Sequence, residues 1–402
     1  MVVLIGYQTY DVARTDYAME RSEAAFQLGL LGLAQFIPLF LLTPVAGLAA
    51  DRFDRRFVSA GANGLDALIA LLLAVLTLLE GLNLPILFSL AAMHGAARVF
   101  NMPASSAIAP NVVPPTLLPK AIALSSMAMQ ASIFAGPAVG GFLFAASPSS
   151  PHFMAAAMLV ISALLVLAIR PIRAAQDQGR VHPLRQIIDG LVFIKDQRFL
   201  LGCITLDLFA VLLGGATAML PVFARDILHV GPEGLGLMRG APALGAAFVA
   251  LWFSFKPLEH NVGVKMLLAV AVFGVATMGF GLSRFYPLSL ALLVLLGAAD
   301  MFSVFIRNTL VQLYTPDNMR GRVSSTSGLA ISASNELGEM RAGLSAVVMG
   351  VTGTVVFGGL GAVIVTAIWA WIFPEIRWAK TFDPPPGIEP HQTGPKQRET
   401  AQ

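Results

Sequence analysis

Charge is scarce in this sequence: Asp, Glu, Lys and Arg make up 12% of its 402 residues, about half the share found in soluble domains. That deficit excludes a water-soluble enzyme. Cysteine is nearly absent, with Cys203 alone inside an apolar run, so neither an intramolecular disulfide nor a Cys-based metal site can form. The six histidines, His94, His152, His182, His229, His260 and His391, never fall at metal-ligand spacing, and no metal or cofactor is implied. Gly-x4-Gly-Lys-Ser/Thr, His-Glu-x2-His and a serine elbow are all missing, so no known motif for ATP hydrolysis or hydrolase chemistry is present. A pump built on this chain must draw on an ion gradient.

What fills the chain is apolar: 56% of residues are hydrophobic and the mean hydropathy is +0.75. A membrane span needs about 20 such residues. Runs near 26–50, 57–80, 84–106, 118–146, 152–170, 198–224, 232–255, 262–283, 286–306, 322–350 and 353–374 make eleven complete spans. The stretch 1–13 reaches only about 20 Å as a helix and reads as the second half of a further span cut at Met1. The fold class is all-α and polytopic, with the lipid bilayer as solvent.

The net charge of +3 does not mark a nucleic-acid partner, because the basic residues sit between apolar runs as topology determinants. One set of connections holds Arg52, Arg55, Arg56, Lys120, Arg173, Arg185, Lys195, Lys256, Lys265, Arg307, Arg320 and Arg322; the other holds Arg14, Arg21, Arg225 and Arg284. The alternation places both ends and a central linker, 171–197, in the cytoplasm. A shift of 202 residues lays Pro114 on Pro316, Lys120 on Arg322, Gly136 on Gly338 and Gly141 on Gly343. The division is therefore a first helical half 1–170, the linker, a second half 198–374 and a disordered, Pro-rich tail 375–402.

Gly47, Asp51, Arg52, Asp54, Arg55 and Arg56 occupy the first basic connection. Here the sequence resembles the major facilitator superfamily, whose signature in this loop is a Gly, an Asp four residues on and a basic cluster; Asp54 stands where glycine is usual. This version, with the segments Pro103 to Ser126 and Pro316 to Ser325, resembles the enterobactin-exporter and macrolide-efflux (transmembrane secretion effector) branch. The resemblance runs from about Gly6 to Phe373. It implies two six-helix halves rocking about a midplane cavity, and a gate in which Asp51 lies near the helix start at Arg320 and Arg322. Gly136, Pro137, Gly140 and Gly141 resemble the glycine-proline motif of superfamily exporters, and also suit ordinary close helix packing.

Charges inside spans need a partner, water or a function, because each costs at least about 2.5 kcal/mol on insertion scales. By the resemblance, helices 4, 7 and 10 line the cavity, and they carry Arg98, Asp207 and Asp300. Asp207 lies near the bilayer centre and is the first choice for a coupling carboxylate; Arg98 and Asp300 are repeat mates that pair if the inner gate closes. Asp66 has two readings, coupling and structural hydrogen bonding. Glu336 and Glu339 share one helix face, where one holds a proton or each answers an arginine or water. Arg239 and Arg341, near span ends, are expected to snorkel. The function these features imply is export of a small hydrophobic or amphiphilic molecule of drug, macrolide or siderophore class across the cytoplasmic membrane, with protons as coupling ion. The alternatives are a signalling or scaffold protein of transporter descent, and an inactive truncated product.

Overall fold

The computed structural model describes residues 2–106, 108, 112–113, 117–169, 183–256, 258 and 260–382. No strand occurs among the described residues. The helices are α1 Val2–Thr15, α2 Arg21–Arg52, α3 Arg55–Leu78, α4 Leu84–Ser106, α5 Leu118–Ala146, α6 Ser150–Ala168, α7 Pro183–Asp196, α8 Arg198–Gly214, α9 Gly231–Phe255, α10 Val262–Leu282, α11 Tyr286–Tyr314, α12 Asp317–Ile372 and α13 Pro374–Trp378. Nine stretches among the described residues are long and apolar enough to cross a membrane. The last contains two crossings, because Gly350 takes φ 72° and ψ 169° and breaks α12 into arms 317–349 and 351–372, a conformation glycine alone adopts without strain. Leu84–Ser106, at 23 residues, is long enough to cross at about 1.5 Å per residue.

Helix starts follow capping chemistry. The Glu20 N–H donates to Glu23 Oε2 at 3.1 Å before α2. At α3 the Asp54 carboxylate accepts the Arg56 backbone N–H at 3.0 Å, which explains the residue that departs from the family pattern: it is the N-cap.

Two helix pairs cross between the halves, α2 with the first arm of α12 and α5 with α9. Both crossings are tightest at the end away from the basic connections. A Cβ on Gly343 would lie 2.8 Å from Gly29 Cα, and one on Gly141 would lie 2.6 Å from the Pro232 carbonyl oxygen. Towards the basic end the same helices part: Gly136, Gly321 and Gly328 have no neighbour within 4 Å of a built Cβ, and Ala131 to Ile133 are exposed.

The described parts of the two stretches read as polar linker and tail are helical or packed. The described part of 171–197 forms α7, whose Asp189 pairs with Arg322 at 3.0 Å and whose Ile187 carbonyl accepts Thr326 Oγ1 at 3.1 Å. After 374 the chain stays packed, with Ile376 fully buried, because Gly202 and Gly263 leave room against it. Residues 170–182 and 383–402 lie outside the described residues.

Candidate functional site

The centre of the second half is built on a helix that does not run straight. α8 ends at Gly214, and Gly215 (φ −48°, ψ 50°) leads into a 3-10 turn, Ala216–Met219. That break frees carbonyls in the membrane interior, where each needs a donor. Arg341 supplies them: its Nε donates to Leu212 O at 3.1 Å and its Nη2 to Leu213 O at 2.5 Å. Arg239 Nη1 donates to Thr217 O at 3.3 Å. Neither arginine snorkels, contrary to the expectation from their positions near span ends, because broken backbone inside the bundle is the nearer acceptor. The Gly214-Gly215 pair beside the two arginines was the available signal.

A cavity of about 390 Å³ lies against this break, lined among others by Phe273, Arg239, Asp300, Asn335 and Glu339. Asp300 stands near the middle of α11; neither its carboxylate nor that of Glu339 forms an ion pair within 4 Å among the described residues, although Arg239 shares the cavity wall with both and Arg98 also acts on Glu339. Glu336, one turn before Glu339, faces Arg98 of α4 at 3.5 Å. Arg98 therefore answers Glu336 in this state, and Asp300 is not its partner. Of the predicted residues, Asp300 and Glu339 line one cavity, and Arg98 and Glu336 meet beside it, one turn of α12 away.

Asp207 does not stand free. It forms an ion pair with Arg307 of α11, and both side chains are buried, at 6% and 4% exposure. The sequence expectation of a neutralising proton at Asp207 gives way to a neutralising guanidinium. Arg307 was assigned to a connection because the span was ended at 306; α11 continues to Tyr314, which puts Arg307 inside the bundle. The residue spacing did not reveal this, since the two partners are on different helices.

Asp66 has a partner as well, His94 Nδ1 at 2.8 Å. Around the basic loop, Arg56 pairs with Asp54 at 2.7 Å and donates to the Ile169 carbonyl at 2.5 Å. The Arg56 side chain, then the Arg56 backbone N–H, hold the Asp54 carboxyl below the usual carboxylate range despite some burial. Arg55 begins α3 and Arg320 Nε donates to Gln312 O at 3.3 Å. The side chains of Gly47, Asp51 and Arg52, and much of the segment 103–126, lie outside the described residues; Arg322 is met by Asp189 of α7. In α5, Gly141 and the Pro137 carbonyl touch Gly236 of α9, Gly140 faces Leu4, and Gly136 is open.

The far end carries a cluster that the loop charges did not foretell. Past the 3-10 turn, a single π turn, Phe223–Ile227, presents Arg225 and Asp226. Asp226 Oδ2 accepts the Tyr10 hydroxyl at 2.7 Å and lies 3.3 Å from Arg21 Nε and 3.5 Å from Arg14 Nε. Arg225 reaches Asp11 at 2.7 Å. Each half thus gives a carboxylate to arginines of the other.

Comparison with known proteins follows the same outline. The family described as transmembrane secretion effector matches residues 2–383. The chain is similar to the enterobactin exporter EntS of Citrobacter koseri, 27% identical over 372 residues, 90% of this chain and 86% of that protein. It is also similar to EntS of Escherichia coli O1:K1, at 25% over 357 residues, 88% and 84%. Among solved structures, the fold matches a bacterial homologue of the human lysosomal transporter Spinster in an inward-facing, unoccupied state, with TM-score 0.68, 16% identity and coverage of 94% and 96%. It also matches the nucleoside transporter NupG, with TM-score 0.65, 14% identity and coverage of 92% and 96%.

Proposed function

Because the chain belongs to the transmembrane secretion effector family of major facilitator transporters, we propose that this exporter-type membrane protein moves small hydrophobic or amphiphilic compounds outward in exchange for protons. The basic end faces the cytoplasm, by the retention of Lys and Arg on that side, so the protein resides in the cytoplasmic membrane with its C-terminus inside. In this state the cavity opens inward and is shut outward. The two halves, 1–170 and 198–374, rock about the cavity to alternate its access.

The observation that carries this reading is the cavity itself, in whose wall Asp300 and Glu339 stand among apolar side chains with Arg239 on the same wall and, among the described residues, no ion pair to either carboxylate. Carboxylates inside a span mark ion or proton pathways, and Asp300 and Glu339 are the groups that trade protons for a substrate entering from the cytoplasm. The similarity to enterobactin exporters makes a catecholate siderophore one substrate to test beside macrolides and lipophilic dyes. Asp207, its charge balanced by Arg307, acts as a positioning pair behind the cavity.

The test is accumulation of that panel in cells expressing the chain, with and without a protonophore. Lower accumulation that the protonophore abolishes supports proton-driven export. Asp300→Asn and Glu339→Gln proteins that reach the membrane should lose the gradient-driven part; undiminished protonophore-sensitive export in both would refute their role.

A further inference from the structure

The first half buries a polar column that the central cavity does not use. Arg56, Ser59, Asn63 and Asp66 are all buried on α3, and their spacing of three, four and three residues puts them on one face. Each has its own partner from a neighbouring helix or loop end. Arg56 donates to Ile169 O; Ser59 Oγ donates to Asn101 Oδ1 at 2.8 Å; Asn101 Nδ2 donates to Asn63 Oδ1 at 3.1 Å; Asn63 Nδ2 donates to Ser162 Oγ at 3.1 Å. The column ends at Asp66 and His94, 2.8 Å apart, about 17 Å along a helix of about 36 Å. Beyond it the same buried face is Ala67, Ile69, Ala70, Leu73 and Ala74. Polar side chains thus recur at every turn from Asp66 to the basic end, whereas three apolar turns separate Asp66 from Thr77 at the far end, which accepts the Gln8 side-chain amide at 2.9 Å.

We infer that the Asp66–His94 pair is a proton-binding site of the first half, separate from the central cavity and reached from the cytoplasm along the polar face of α3. The uncharged Asn63–Asn101 contact holds α3 to α4 one turn away, so a hydrogen-bonded joint between these helices does not require a carboxylate. A carboxylate at midplane depth is costly to keep, and the joint between the helices does not account for it.

The site's charged surroundings are few. On α4 the other ionisable group is Arg98; on α6 it is His152, which is hydrogen-bonded to Gln8 at 3.1 Å near the far end; α2 carries Arg21 and Glu23 at one end and Asp51 and Arg52 at the other. The exchange is one proton: a carboxylate beside a neutral imidazole takes it from cytoplasmic water and becomes a carboxylate–imidazolium pair, and returns it to the same side. His94 stands four residues before Arg98, on the same face of α4, and Arg98 faces Glu336 of the other half. The added positive charge repels the Arg98 guanidinium and biases it towards Glu336, so occupancy of the site is felt at the contact between halves.

This inference rests on the transporter reading and its orientation, but its test needs no substrate. Cysteines placed at the exposed Leu79 and Phe285, on far-end connections of the two halves, take spin labels while buried Cys203 stays unlabelled. Pulsed-EPR distances are then followed from pH 5 to 9 in lipid nanodiscs. The expected result is a pH-dependent shift whose midpoint moves by at least about one unit, or vanishes, in Asp66→Asn and His94→Gln, and is kept in Ser162→Ala. If either single variant fails to reach the membrane, the exchange Asp66→His with His94→Asp decides, and should retain the response. A pH-independent wild type, a midpoint unmoved in both single variants, or a folded exchange variant without response overturns the site. Failed export in the accumulation assay with this pH response intact counts against the substrate reading alone.

Discussion

Replacing Gly343 with alanine should open the outer end of this transporter. A Cβ at that position would lie 2.8 Å from Gly29 Cα and 3.0 Å from Gly29 N, both backbone atoms of α2 that no rotamer change can move. Reaching ordinary contact at 3.4 Å requires the two helices to part by about 0.6 Å, and overpacking of this kind costs about 1–3 kcal/mol. The contact exists where α2 and α12 meet in the outward-closed state, so the cost falls on that state and spares one in which these helices separate. The closed-to-open ratio should fall by roughly 5- to 150-fold. The assay is the Leu79–Phe285 spin-label distance at fixed pH, with Gly136→Ala, where a Cβ meets nothing within 4 Å, as the control. Gly29→Ala should act alike, and the double variant should add less than the sum, since both relieve one contact. A Gly343→Ala distribution equal to that of Gly136→Ala would refute the reasoning.

Three further outcomes are expected. Asp207→Asn leaves Arg307 buried without its counter-ion, a loss of about 3–5 kcal/mol, so membrane abundance should drop and recover in Asp207→Asn with Arg307→Met; an abundant single variant would sink this. Asp226→Asn removes the negative charge that Arg14 and Arg21 share and replaces one of its two carboxylate oxygens by an amide donor. Its outer-end distance should lengthen, and the wild type should approach it in high salt as screening weakens the same pairs; a salt-insensitive wild type contradicts that. The folded Asp54 carboxyl lies below its unfolded value, so its contribution is complete above about pH 4 and fades as pH falls through the folded value. Asp54→Ala should therefore lose about 1 kcal/mol at neutral pH, and thermal unfolding should show the gap closing in acid; an unchanged gap would argue against the charged cap.

Sequence patterning located the helices because spans are set by a local property, the run of apolar residues between charges. It failed where a property is shared between helices. Arg307, Arg239 and Arg341 looked like end-of-span cations, and nothing within α9, α11 or α12 indicates that their acceptors are Asp207 and the freed carbonyls of α8. Asp66 and His94 are 28 residues apart on consecutive helices, and neither residue's neighbours in the chain mark the other. The far-end cluster was not legible: the 202-residue shift does not bring Asp11 and Asp226 into register, and their exchange of arginines needs the halves docked.

That exchange points to how the duplication is used. Gly141 and Gly343 coincide under the 202-residue shift, and each closes its crossing against a glycine of the other half, Gly236 and Gly29. Asp11 and Asp226 do the same with Arg225 and Arg14. Paired contacts of this kind release together under one rotation, so the outer closure inherits the symmetry of the repeat. The midplane does not. Arg98 and Asp300 coincide under the same shift, yet one is a cation facing Glu336 and the other a carboxylate in the cavity wall with no ion pair among the described residues. A closure must act on both halves at once, whereas the proton exchange proposed for the cavity needs unlike groups on its two sides. The first demand preserves equivalent residues at the outer end, and the second is met by their divergence at the centre.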